Sequence, residues 1–212
     1  MVSIRNKSGQ LVKIKGVVFD MDGTLTISQP WMFKEMRSVI GLTDPKVDIL
    51  TFISQLSPEE QTNANLRVEQ VEEKAMREMQ PQLGLLPLLT HLQSLPLPMA
   101  ILTRNLIKPV THLLNTHIPA NIEFNPILTR SFQPPKPKPD ALFHIAENWG
   151  VKAEELIMVG DSMDDMNAGY DAGAVTVLIK SVMNGKDHTD VKVGYVVESL
   201  EEIIELLEAD VE

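Results

Sequence analysis

Two short acidic turns carry most of the chemistry that this 212-residue sequence can do. In the first, Asp20-Met21-Asp22-Gly23-Thr24 follows the apolar run GVVF, so two carboxylates at i and i+2 turn toward one small volume if the chain bends at once. Glycine at position 23 permits that bend. In the second, Gly160-Asp161-Ser162-Met163-Asp164-Asp165 follows the apolar run LIMV, and Asn167-Ala168-Gly169 with Ala172-Gly173 gives the next helix small residues for close packing. A polar turn and a calcium loop are the other readings of the first motif. An EF-hand starting at Asp20 needs glycine at its sixth position, and Leu25 stands there. Four converging carboxylates would raise one another's pKa values, and a hard cation keeps them ionised. The sequence has no cysteine and neither turn has a histidine, so the donors are oxygens and Mg2+ is the expected ion.

The elements that must position these turns are legible from periodicity. Residues 15–20 (KGVVFD), 98–103 (PMAILT), 156–161 (LIMVGD) and 174–179 (AVTVLI) are short apolar runs separated by helical patterns or long connections. Such alternation predicts an α/β fold, a Rossmann-like three-layer core with a parallel sheet and helices on both faces. Ser57-Pro58-Glu59-Glu60 and Ser199-Leu200-Glu201-Glu202 are capping boxes that start helices, the first running to about Gln80 with Val68, Val71, Ala75 and Met79 on one stripe. The second starts a C-terminal helix with Ile203, Leu206 and Leu207 inward.

Between 28 and 82 only helical patterns occur, at 31–40, 47–56 and the capped segment, which predicts a small all-helical subdomain inserted after the first strand. The domains expected are therefore a core of residues 1–27 and 83–212 and a helical cap of 28–82, above the strand ends where open α/β sheets bind ligands. Linkers near Ser28 and Gly84 would let it open and close. Residues 119–139 hold six prolines, at 119, 126, 134, 135, 137 and 139, and are expected to form a stiff extended loop that fixes Lys136.

Taken in order, VVFDMDGTL, ILTRN, KPKPD and GDSMDD resemble the four signature motifs of the haloacid dehalogenase superfamily, and the helical insertion resembles its cap of the type placed after the first motif. The resemblance implies that Asp20 is a nucleophile forming an aspartyl-phosphate, and that Asp22 protonates the leaving alkoxide and later serves as base toward water. It implies that Thr103 and Lys136 contact the transferring phosphoryl group, with Arg104 and Asn105 as further candidate substrate contacts, Arg104 alternatively pointing to solvent. Lys138 is a second candidate for the lysine, although the family phrasing matches Lys136. It implies a Mg2+ site made of Asp20, the backbone carbonyl of Asp22, Asp161 and Asp165, with Asp164 read as a helix-start charge. An aspartate at position 22 favours phosphate chemistry over carbon–halogen chemistry, because the family's dehalogenases have none there.

Composition narrows the field. A net charge of −10 argues against a general nucleic-acid binder. The absence of cysteine excludes disulfides and thiolate chemistry. No apolar run has the length of a bilayer-spanning helix, so neither membrane nor nucleic acid nor protein partner is inferred, and the expected partner is a small phosphorylated metabolite. The expected setting is the cytoplasm, with nuclear access or organelle import left open by a basic N-terminal stretch containing Arg5, Lys7, Lys13 and Lys15. The five histidines form no ligand pair and are read as structural. Met32, Met36, Met76 and Met79 are read as fillers of the small helical core. Trp31, Phe33, Lys34 and Arg37 are weaker candidates for cleft contacts, and 198–212 is read as a solvated acidic helix face. Three functions follow: a phosphatase acting on a sugar phosphate, nucleoside monophosphate or phosphoglycolate-like ester, a phosphomutase using the same chemistry, and a non-catalytic binding or regulatory protein.

Overall fold

A computed structural model of the chain describes residues 2–6, 9–181, 184 and 189–208. His188, Lys7 and the end of the acidic tail, 209–212, lie outside the described residues. The chain divides into two compact units, Met1–Ser28 with Gln80–Glu212, and Gln29–Met79.

The first unit begins with an antiparallel pair, β1 (Ser3–Arg5) and β2 (Leu11–Lys13), in a stretch where the sequence pattern shows basic residues and no strand signal. Next comes β3 (Gly16–Phe19), every residue of it buried. Such a run, apolar on both faces, is stable only inside a sheet covered on both sides. The unit continues, after the helical unit, with α4 (Leu85–Ser94), β4 (Met99–Leu102), α5 (Ile107–His117), β5 (Ile127–Leu128), α6 (Asp140–Trp149), β6 (Leu156–Gly160), α7 (Met163–Ala172), β7 (Val175–Ile179), β8 (Tyr195–Val197) and α8 (Glu202–Glu208). Six of these strands form a parallel sheet in the order β5-β4-β3-β6-β7-β8. The expected Rossmann-like α/β core is thus present. On one face Val18, Ala100 and Met158 pack with Ala141, Leu142 and Ile145 of α6 and Ala168 and Ala172 of α7, where small side chains let helix and sheet approach closely.

Register brings the motifs to one edge. Phe19 pairs with Ile101 on one side and Val159 on the other. Asp20, Thr103 and Asp161 therefore all emerge within two residues of one level, at the carboxyl ends of three adjacent strands. The order of strands reverses between β3 and β6, and that switch point is where open α/β sheets present a crevice. Thr26 and Pro81 form an antiparallel bridge, and Ile27 N–H donates to Gln80 C=O at 2.9 Å, so the outgoing and returning chains are tied together next to the first motif.

The second unit holds α1 (Pro30–Val39), α2 (Ile49–Ser54) and α3 (Pro58–Arg77). Ser57 and Glu60 close the predicted capping box, with Ser57 N–H donating to the Glu60 carboxylate at 3.1 Å. Val71, Ala75 and Met79 face inward with Met36, Ile53 and Ala64. Met32 and Met76 are half-buried, so the methionines here fill space in a small core. Trp31 is also half-buried, with the Lys74 ammonium 4.6 Å above its ring, and Lys74 pairs with Glu35 at 3.0 Å. Arg37 donates to the carbonyls of Asp44 and Val47, which closes the loop after α1, whereas Phe33 and Lys34 are exposed.

Candidate active site

The first acidic turn works because of one glycine. Gly23 has φ +84°, and a Cβ there would lie 2.0 Å from Oδ2 of Asp161. Only a glycine both adopts this backbone and leaves room for the second acidic turn to close on the first. Gly160 plays the corresponding part at the end of β6: a Cβ would meet that of Asp165 at 2.3 Å, so its absence lets Asp165 fold back onto the strand end. Ser162 N–H donates to Asp165 Oδ2 at 3.1 Å in a capping box, which fixes the carboxylate at the start of α7.

Lys136 ties these pieces together. Its Nζ lies 2.6 Å from Oδ1 of Asp20 and 2.6 Å from Oδ1 of Asp165, and donates to the carbonyl of Leu102 at 2.9 Å. All three charged residues are buried. Burial opposes the ammonium charge, but Asp165 and Asp20 outweigh it and hold the Lys136 pKa above its ordinary value. Burial pushes Asp20 up, and repulsion from Asp165 adds to this, while Lys136 pulls it back. Lys138 is exposed, so of the two candidate lysines it is Lys136 that reaches this cluster.

Asp161 completes the group. Its Oδ2 accepts from the Ser28 hydroxyl at 3.3 Å and the Ser181 hydroxyl at 3.4 Å, and its backbone carbonyl accepts from Asn184 Nδ2 at 3.0 Å. Burial and the neighbouring Asp165 raise its pKa from 3.8 to about 6, against the two serine hydrogen bonds. Asp20, Asp161 and Asp165 each offer an oxygen within 4.8 Å of the others, and among the described residues they form the one group of His, Cys, Asp and Glu side chains close enough to hold a metal ion. An all-oxygen, anionic donor set of this kind suits a hard divalent cation.

Asp22 completes the first acidic turn. It keeps an exposed surface, but the protein around its carboxyl raises its pKa, against hydrogen bonds from Asn105 and Thr26. Asn105 Nδ2 donates to Asp22 Oδ2 at 2.7 Å. Thr103 is buried, and its Oγ1 accepts from Asn105 N–H at 3.1 Å, which leaves the hydroxyl proton to donate elsewhere. The Arg104 guanidinium bridges the Asp164 carboxylate and the carbonyl of Lys136, so it spans three of the four motifs while remaining half exposed.

Of the residues expected from sequence, Asp20, Lys136, Asp161 and Asp165 come together, Asn105 links Asp22 to Thr103, and Arg104 turns to Asp164. Ser28, Ser181 and Asn184, which brace Asp161, were missed: single polar residues in loops far apart in the chain carry no spacing signal. Of the described histidines, His144 bonds to Asn148 at 3.0 Å and His91 stands 3.9 Å from Glu208.

The model of haloacid dehalogenase-like hydrolases matches residues 14–173. An uncharacterised hydrolase of Saccharomyces cerevisiae is 48% identical over 93% of this chain and 93% of its own. A phosphoglycolate phosphatase of Vibrio parahaemolyticus is 32% identical over 51% of this chain and 48% of its own. Among solved structures, a HAD hydrolase of Entamoeba histolytica aligns with a TM-score of 0.76 at 19% identity, covering 92% of this chain and 98% of the other, a likeness of fold. With all four motifs at the carboxyl ends of one parallel sheet and a family match over most of its length, the chain belongs to the haloacid dehalogenase-like hydrolases.

Proposed function

We propose that this hydrolase is a magnesium-dependent phosphatase that cleaves a small organic phosphate monoester through an aspartyl-phosphate on Asp20. The observation that carries the reading is Lys136 set between the buried Asp20 and Asp165, with the half-buried Asp161 completing the carboxylate cluster. A lone buried nucleophile would need no such arrangement, whereas a phosphoryl group entering as a dianion needs cations on the side of its attacker. The likeness to a phosphoglycolate phosphatase supports a small ester as substrate.

Asp20, Asp161 and Asp165, with the backbone carbonyl of Asp22, would hold Mg2+, which supplies positive charge against the phosphoryl oxygens. Asp20 attacks phosphorus, forming the Asp20 O–P bond as the ester P–O bond breaks. Asp22 gives its proton to the departing alkoxide and then takes one from the water that hydrolyses the acyl phosphate, so the products are alcohol and phosphate and Asp22 is restored. Lys136 neutralises Asp20 and the transferring group, and the Thr103 hydroxyl donates to a phosphoryl oxygen. The expected setting is the cytoplasm; among the described residues no helix is long and apolar enough to cross a membrane.

The test is phosphate release from a panel of sugar phosphates, nucleoside monophosphates and phosphoglycolate, with Mg2+ and with excess chelator, for wild type and Asp20→Asn. Mg2+-dependent release that Asp20→Asn abolishes supports the reading. Isomerised sugar phosphate without release indicates a mutase, and neither product from the folded wild type indicates a binding role.

A further inference from the structure

Three hydrogen bonds hold the backbone of the loop after β4 at Arg104 and Asn105. The Asn105 N–H donates to Thr103 Oγ1 at 3.1 Å, its carbonyl accepts from Arg130 N–H at 2.9 Å, and the carbonyl before it accepts from Arg130 Nε at 2.9 Å. From this fixed backbone the side-chain amide reaches back to the first motif, with Nδ2 2.7 Å from Asp22 Oδ2 and 3.5 Å from Met21 Sδ. A carboxylate oxygen and a thioether sulfur are both acceptors, so the amide presents its NH2 group and not its oxygen to them.

An amide NH2 only donates, so Oδ2 of Asp22 must offer it a lone pair. In a carboxylic acid the carbonyl oxygen accepts more strongly than the hydroxyl oxygen, so this donor favours Oδ2 as the carbonyl and Oδ1 as the oxygen that carries a proton. We infer that Asn105 is a positioning residue for Asp22, engaging Oδ2 so that Oδ1 is the atom that gives and takes the proton; this rests on the phosphatase reading. In the first step the Oδ1–H bond breaks as the new alcohol O–H forms, while the electron pair of the ester P–O bond goes to the leaving oxygen and Asp20 bonds to phosphorus. In the second, water loses a proton to Oδ1 as its oxygen bonds to phosphorus and the Asp20 O–P bond breaks, which releases phosphate and restores the Asp20 carboxylate. An acid and base on one oxygen requires the carboxyl to stay in place between the two steps, and Asn105 supplies that restraint.

The test is kcat/KM for β-glycerol phosphate and p-nitrophenyl phosphate, with saturating Mg2+, for wild type, Asn105→Ala, Asp22→Ala and the double variant. This ratio covers the steps up to departure of the leaving group, and nitrophenolate departs without a proton while the alkoxide needs one. Asn105→Ala is expected to lower the alkyl ester's kcat/KM at least roughly tenfold more than the aryl ester's, and the double variant to be no slower than Asp22→Ala. Equal losses on both esters, or additive losses in the double variant, overturn the positioning role and make Asn105 a substrate contact. Asn105→Ser, which also removes the amide, provides the same comparison if the alanine variant does not fold. No turnover of either ester by the wild type overturns the phosphatase reading and this role with it.

Discussion

The Lys136 ammonium stands 2.6 Å from Asp165 Oδ1, at the same distance as it stands from Asp20, so one buried cation separates two buried anions. Asp165 has no freedom to withdraw, because Ser162 and the start of α7 hold its other oxygen. The three side chains form a unit in which each charge is tolerated because of the others.

Removing Lys136 should therefore act on stability and activity together. Lys136→Met leaves Asp20 and Asp165 facing each other without a counter-charge, and breaking a buried pair in this way costs about 3 kcal/mol. Urea denaturation should show that loss in chelator and a partial recovery in Mg2+, since a cation bound by the same carboxylates relieves the same repulsion. Phosphate release should fall roughly 100-fold or more. An unchanged denaturation midpoint in chelator would show that Lys136 does not hold these carboxylates apart.

Gly23→Ala isolates the turn. The positive φ costs about 1–2 kcal/mol for any residue with a Cβ, and the added carbon would collide with Asp161 Oδ2, displacing a proposed metal ligand. Isothermal titration of the folded variant with Mg2+ should show affinity lost by more than tenfold. Wild-type affinity in Gly23→Ala would remove Asp161 from the ion site.

Much of this was legible in the sequence, for physical reasons. Gly16–Phe19, Met99–Leu102, Leu156–Gly160 and Val175–Ile179 are apolar runs of four or five residues buried on both faces, too short for a buried helix, so they announced themselves as strands. Ile127–Leu128 and Tyr195–Val197 lie at the two edges of the sheet, are short and are only partly buried, and they gave no such signal. The same holds for Ser3–Arg5 and Leu11–Lys13, whose pairing is set by a partner across a turn and not by a local pattern. At the site, the acidic turns were visible because glycine and aspartate spacing is local. The engagement of Arg104 with Asp164, 60 residues away, and the bracing of Asp161 by Ser28 and Ser181 depend on which loops the sheet brings together.

The last prediction concerns pH. Asp161 is raised from 3.8 to about 6 in the folded protein, chiefly by burial, and Asp20 is raised as well. Between about pH 4 and 6 the folded state then binds more protons than the unfolded state through Asp161. Unfolding releases them, so stability falls as pH rises across that window, and Asp20 extends the fall upward. In the proposed site Mg2+ would bind the ionised carboxylates in competition with those protons, so its stabilising effect should be small at pH 5 and larger at pH 7.5. Thermal unfolding at both pH values, with and without Mg2+, should show a greater rise in Tm at pH 7.5. An equal rise at both would mean that the ion is held by groups other than these raised carboxylates. Asp161→Asn should reduce the difference between the two pH values, since the amide neither titrates nor carries the charge that draws the cation.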